Sequence, residues 1–515
     1  MMFKLIGKHT KTMRMMTNKM KFFSMAVLFV AAAALSSCEK ETLSNVVSGT
    51  YTTTVDMAEN NTKALTSGGV KTFAAGERIA VIYKNTNGDT KKAVSAALTE
   101  GDIQNSGKKA QFTVELEDPD NTAAIRYIYP ASMAKATIAT DATMDDAGTI
   151  DFTKLCNQNG TLDNIDSLDL CVFEAASWGG TELPANQTLT NKLAIGKFSF
   201  EESGSPINSD IKMLYIGDGT HSYYIQRPSA SGDPIFVAMM PVANQYFTFH
   251  AANADGSNKY EYEVSNKTLL ANKWYELEIS TTKLQTGATF GKFSIDGSNT
   301  VHFSQGNLQR INGTWQFASH QYDVLGSWSS TSCDLFYWET TGNYGSEENC
   351  VTSIGTSSDV VNWGDNAISN GGNVPNAYST PSTDNWQYLF NSRSGYSSKY
   401  GSATVCSQNG IVILPDHWTL PTGCSFTSGM NGWSTNSYDA TAWAKMEAAG
   451  AVFLPAAGYR DATNVNFVGI YGNYWSSTAN YVDNDAWYVL FLVRYVNPVD
   501  YGNRRNGQSV RLVCE

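Results

Sequence analysis

Apolar and polar residues alternate with a period of two in short runs along the first half of the chain. Ile79, Val81 and Tyr83 share one side of such a run, and Phe112, Val114 and Leu116 share one side of another. The pattern returns at Ile125, Tyr127 and Tyr129 before Pro130, at Phe198 with Phe200, at Phe247 with Phe249, and at Tyr275, Leu277 and Ile279. Successive side chains of a strand point to opposite faces, and clusters of Gly, Asn, Asp and Ser bound these runs, so each reads as a strand. No segment of helical length and period separates them, which predicts antiparallel sandwiches rather than a parallel α/β sheet.

Beyond about residue 285 the pattern changes. Phe293-Ser294-Ile295 and Val301-His302-Phe303 form a predicted hairpin through Asp296-Gly297-Ser298-Asn299. Thr383 or Asp384 is placed to cap a helix presenting Trp386, Leu389 and Phe390, and Asp439 to cap one carrying Trp443 and Met446 as far as Gly450. The remainder reads as strand and loop. The class expected overall is mainly β, with an α+β unit at the C-terminal end.

Composition sharpens this division. Ten of the twelve tryptophans lie beyond residue 285, and Lys399 and Lys445 are the only lysines after Lys292. At the other end, Lys19 and Lys21 precede an apolar run from Phe22 to Ala34, followed by Leu35-Ser36-Ser37-Cys38. That run falls short of the roughly 20 apolar residues of a membrane span and reads as a signal peptide. The Leu-Ser-Ser-Cys tetrapeptide resembles a bacterial lipobox, which implies lipidation of Cys38, a mature chain starting there, and a membrane partner reached through the lipid anchor. The expected location is the outer membrane, at the cell surface or in a fimbrium. A net charge of −12 argues against a nucleic-acid partner. The other cysteines, Cys156, Cys171, Cys333, Cys350, Cys406, Cys424 and Cys514, show no zinc-like spacing. Pairs such as Cys156 with Cys171 or Cys333 with Cys350, and free buried thiols, are equally compatible with it.

Two family resemblances follow. Thr62 to Thr66, Phe73 to Tyr83 and the Tyr127-Ile128-Tyr129-Pro130 strand end resemble the N-terminal half of fimbrillin-like proteins, and Leu193 to Phe200, Pro234 to Pro241 and Leu270 to Leu277 resemble the second half. The resemblance implies two transthyretin-like β-sandwich modules, and partnership with other fimbrial subunits by donor-strand exchange after an early strand is cut away. Members of that kind are cut after an arginine, whereas this chain has none between Cys38 and Arg78 and offers only Lys63 near that place. In the C-terminal part, Leu414 to Thr422, Leu454 to Arg460, Gly472 to Thr478 and Gly507 to Val513 resemble the major paralogous domain first described in fibre-degrading bacteria. That domain is related to C-type lectin-like and formylglycine-generating-enzyme-like folds. The division expected is a signal peptide over 1–37, a lipidated tether over 38–62, sandwiches over 63–150 and 151–285, and a lectin-like ligand-binding domain over 286–515.

Within that last domain, residues 480–506 mix Tyr and Arg with Asn and Asp, as binding loops do. Candidate ligand-binding residues are Tyr481, Asp483, Asp485, Trp487, Tyr488, Phe491, Arg494, Tyr495, Tyr501 and Arg504. The resemblance extends to variable proteins of diversity-generating retroelements, in which asparagine codons of such a segment are randomised. Trp418, Trp443 and Trp475 read as core. His221, His250, His302, His320 and His417 have no metal-ligand spacing, and Asp416-His417 has no nucleophile elbow to accompany it. No cofactor, metal or catalytic group is expected. The function this points to is a surface-anchored adhesin that recognises a glycan or protein on a host or neighbouring cell, with a structural or capping fimbrial subunit as the alternative.

Overall fold

The computed structural model describes residues 47–57, 72–339, 343–350, 356, 358–482 and 484–515. The leader, Cys38, Lys63 and Asp483 lie outside the described residues. The protein is mainly β, as the alternation predicts, and the strands fall into two large sheets followed by several small ones.

The first sheet runs Thr90–Val94, Ala80–Lys84, Ile125–Tyr129, Cys171–Ala175, Gln187–Asn191, Gly49–Met57, Lys109–Leu116 and Ile103–Gln104 in spatial order. Its interior collects Ile79, Val81, Tyr83, Phe112, Val114, Leu116 and Tyr127, the alternating residues of the sequence. Two boundaries move. Gly49–Met57, expected in the tether, is a strand, because Thr53, Val55 and Met57 alternate into the interior while the strand pairs along Lys109–Leu116. Cys171–Ala175 and Gln187–Asn191 extend this sheet beyond residue 150. Ala80, Ile82, Ile128 and Val172, on the opposite face of the same strands, pack into the core of the second sandwich. Burial on both faces explains why Ile79 to Tyr83 is apolar at every position.

The second sheet runs Ser205–Pro206, Ala194–Glu202, Lys273–Lys283, Lys259–Leu269, Val242–Ala252, Met213–Gly217, Ser222–Gln226 and Asn157–Gln158, with Ile235–Met239 also paired to Ala194–Glu202. Phe198, Phe200, Phe247 and Phe249 meet in its core, each full burial contributing about 1.5–3 kcal/mol.

The C-terminal module begins with the expected hairpin, Phe293–Ser294 against Thr300–Phe303. Val513–Cys514 returns to pair with His302 and Phe303, so the module's entry and exit share one ladder. The helix Thr383–Asn391 buries Trp386, Leu389 and Phe390 and is capped by Ser382, one residue earlier than expected, in a reciprocal box with Asn385. Asp439 caps Ala440–Ala448 as expected. Trp443 and Trp475 are fully buried, whereas Trp418 is half-buried at the junction with the second sandwich. The seven described cysteines are free thiols.

That junction is dense in hydrogen bonds. Tyr215 donates its hydroxyl to the Thr419 carbonyl at 2.8 Å, the Gly219 amide donates to Thr419 Oγ1 at 2.9 Å, and the Thr422 amide to Ser222 Oγ at 2.9 Å. Gly217 makes the approach possible, since a Cβ there would lie 2.7 Å from Thr419 Oγ1. His250 stacks on Phe290, with centroids 4.8 Å apart, and its Nδ1 donates to the Ala448 carbonyl at 2.8 Å. Buried Glu261 faces His250 Nε2 at 3.6 Å and His302 Nε2 at 3.9 Å and pairs with Lys292 Nζ at 2.9 Å.

Candidate functional site

The segment singled out in the sequence is a three-stranded antiparallel sheet, Gly472–Ala479, Asp485–Leu492 and Tyr495–Asn503. Register decides which of its side chains reach solvent. Trp487 lies directly opposite Tyr501, and Tyr488 opposite Asp500 on the other face.

On the outer face, Trp487 is edge-on to Tyr501, with centroids 5.4 Å apart at 74°, and tilted against Tyr481 at 6.1 Å. Tyr481 is 74% exposed and Tyr501 47%. Edge-to-face geometry of this kind favours aromatic pairs by about 0.5–1.5 kcal/mol and leaves ring faces open. Asp485 is half-buried beside them and lies opposite Asn503. On the other face, Tyr488 packs edge-on to Trp475 at 5.6 Å. Burial first, and then the carboxylates of Asp500 and Asp485, push its phenol up, so Tyr488 remains a protonated donor at neutral pH.

Two expected contact residues belong to the interior instead. Phe491 is fully buried, its ring stacked on Tyr474 at 5.9 Å. Arg504 is also fully buried. Its guanidinium lies 4.4 Å from the Trp338 ring centroid, and its Nε and Nη2 donate to the carbonyls of Asp485 and Thr356. Both residue types suit a binding loop in sequence, but packing encloses them: Phe491 shares Trp487's side of the strand by period two and is covered there by the core that holds Trp386, Leu389 and Tyr474. Arg504 therefore holds the backbone next to the aromatic face rather than a ligand. Val493, Arg494 and Tyr495 are exposed at the far turn of the hairpin. Trp487 and Leu492, the partner of Tyr495, are five positions apart, so the turn lies roughly 17 Å along the strand from Trp487. The predicted residues thus divide into a face, a distant turn and two interior supports.

Residues not singled out from sequence complete the face. Asn480 is buried and accepts from the Val482 amide at 2.8 Å, while Asn480 N donates to the Asp485 carbonyl and Asp485 N to that of Val482. Ser476 Oγ donates to the Trp487 carbonyl at 2.9 Å. The Tyr-Val pair of the turn is thereby fixed beside Trp487. An Asn two residues before a turn amide is a sequence signal for such a loop; the serine carries none.

Elsewhere, His417 is exposed and stacks on Tyr246 with centroids 3.5 Å apart. Its neighbour Asp416 accepts from the Ser294 amide and hydroxyl and from Arg393 Nη1. That places Asp416 as a structural anchor of the module's first strand. Among the described residues no group of three or more His, Cys, Asp or Glu side chains is arranged to hold a metal ion, and no helix is long and apolar enough to cross a membrane.

The fold and this site define a mainly-β protein bearing a cluster of aromatic rings, two of them exposed, on a small antiparallel sheet. A family described as "Domain of unknown function (DUF8237)" matches residues 433–513, which include the whole sheet. No curated protein matches the chain. Among solved structures, it is similar to a fimbrial assembly protein from Parabacteroides distasonis, with 10% identity over 50% of this chain and 96% of that one and a TM-score of 0.27. It is also similar to the tip fimbrial protein Mfa3 from Porphyromonas gingivalis, with 11% identity over 45% of this chain and 96% of that one and a TM-score of 0.24.

Proposed function

We propose that this chain is a surface-anchored, fimbrial-type adhesin whose C-terminal, lectin-like module binds a glycan or a protein. The observation that carries the reading is the trio Tyr481, Trp487 and Tyr501, in which the half-buried Trp487 ring contacts two exposed tyrosine rings. Ring faces stack on the apolar face of a sugar or on protein side chains, and the adjoining Asp485 and Asn503 supply acceptors and donors. Rings held by packing lose little freedom on binding. The leader and lipobox pattern of the sequence supports a location outside the cell, and the junction fixes the module to the second sandwich.

A second reading, a structural or capping fimbrial subunit, is favoured by a different feature. Lys259–Leu269 and Lys273–Lys283 pair only at Tyr260 with Lys283 and Glu261 with Thr282, then diverge. Phe249, Val264, Leu269, Tyr275, Leu277 and Ile279 line the cavity of about 220 Å³ between them, a groove suited to an added strand.

The test is capture of residues 47–515 on glycan and surface-protein arrays, beside a variant with Tyr481, Trp487 and Tyr501 changed to alanine. A captured ligand that the folded variant no longer holds supports the adhesin. No capture, or equal capture by both, leaves the subunit reading in its place.

A further inference from the structure

A cleft of about 450 Å³ lies between the second sandwich and the C-terminal module and shares no lining residue with the aromatic face. Lys212, Gln226 and Lys259 line it from the sandwich, and Gln305, Ser319 and Glu447 from the module. Lys259 Nζ donates to the Ala288 carbonyl at 2.7 Å and sits 5.9 Å from the Phe290 ring centroid. An ammonium takes three acceptors, and this one faces the cleft with a carbonyl as its bonded partner.

The charges around it do not balance it well. Burial lowers the Lys259 pKa, with Glu447 opposing that shift. Glu447 is itself pushed up by burial, and its Oε1 accepts from Gln321 at 2.9 Å, which weakens it as a counter-ion. Asp255, at the same cleft, is committed to the amide and hydroxyl of Ser257. Lys212 is turned away to the Pro228 carbonyl. A partly desolvated cation is costly until an anion reaches it. Gln305 Nε2 donates to the Ala318 carbonyl at 3.4 Å and Gln226 Oε1 accepts from the Tyr224 hydroxyl at 3.5 Å, which leaves the Gln226 amide donors, the Gln305 oxygen and the Ser319 hydroxyl to suit a ligand rich in hydroxyls.

We propose that this cleft is a second binding site, for an acidic sugar whose carboxylate pairs with Lys259 and whose hydroxyls bond Gln226, Gln305 and Ser319. Because the two walls come from different modules, the bound sugar also ties them together. The site is independent of the hairpin face.

The experiment is calorimetric titration of residues 47–515 with D-glucuronic acid, D-galacturonic acid and N-acetylneuraminic acid, with D-glucose as the neutral control. At least one acid binds and glucose does not. Lys259→Met weakens that acid at least about tenfold, a loss of about 1.4 kcal/mol or more, without lowering the melting midpoint, and Lys259→Arg retains it. Gln226→Leu, which leaves the ammonium in place, also weakens binding, whereas Trp487→Ala changes nothing. Glucose binding as tightly as the acids, undiminished binding to both Lys259→Met and Gln226→Leu, or no heat from any acid up to ~10 mM overturns the proposal.

Discussion

The ring of Phe491 fills the space that a side chain at residue 472 would need: a Cβ built on Gly472 lies 1.9 Å from the Phe491 ring. These residues are direct cross-strand partners, so neither moves without shifting the sheet. Gly472→Ala is therefore expected to destabilise the protein by about 1–3 kcal/mol through overpacking. Urea unfolding of residues 47–515, followed by tryptophan fluorescence, measures it, and an unchanged midpoint would falsify this account of the sheet.

Phe491 and Trp487 sit four residues apart and have opposite roles. Phe491→Ala removes a buried ring and is expected to cost about 3–5 kcal/mol of stability. Trp487→Ala, at the surface, is expected to stay within about 0.5–1.5 kcal/mol, the scale of its contacts with Tyr481 and Tyr501, while abolishing capture of an array ligand. Melting curves and array signals of the two variants, compared side by side, separate interior from face.

Arg504 supports the face from behind. Arg504→Met keeps its bulk against Trp338 but removes the donors to the Asp485 and Thr356 carbonyls. The outcome expected is faster hydrogen exchange at residues 480–487 and weaker ligand capture, although no contact with the ligand is lost. Unchanged exchange there would mean that the guanidinium does not position the turn.

The junction should weaken in acid. Burial lowers the His302 pKa below its ordinary 6.5, so an opened or unfolded state binds the proton more readily. Stability is then lost as pH falls through 6.5 toward the lowered value. Burial would raise Glu261, yet facing His250, His302 and Lys292 hold it below its ordinary 4.5. Its contribution, present above 4.5, is lost at still lower pH, so both groups act in the same direction. The melting midpoint of residues 47–515 is expected to fall between pH 7 and pH 5, and His302→Gln to flatten the upper part of that fall. An equally steep fall in the variant would assign the effect to other groups.

Burial pushes the thiols of Cys333 and Cys514 up to about 12. Thiolate is the reactive form, so iodoacetamide at pH 8 should leave both unlabelled in the native protein and label them after unfolding. Peptide mass mapping reads this directly; native labelling of Cys514 would show that the closing strand opens.

Local pattern made much of the fold legible. The alternation at Phe112, Val114 and Leu116 predicted a strand because its period is a property of neighbouring residues, and Asp439 marked a helix start for the same reason. What depended on distant partners was hidden. Nothing near Arg504 announces that Trp338 lies over it, and nothing near Thr419 announces Tyr215, 204 positions away. The strand Gly49–Met57 falls where the sequence predicts tether, because its buried residues Thr53, Val55 and Met57 make a weak apolar stripe. Of the candidate face, Trp487 and Tyr501 meet through cross-strand register, and the turn held by Asn480 brings Tyr481 against Trp487, an arrangement no linear spacing encodes.

The bonds that join Tyr215 to Thr419, Ser222 to Thr422 and His250 to Ala448 have a mechanical consequence. They lie at several points across one surface, so a pull on the hairpin face must shear them together rather than bend a hinge. A load applied at Trp487 is then carried into the second sandwich as through a single beam, with the orientation of the sheet set by the sandwich behind it.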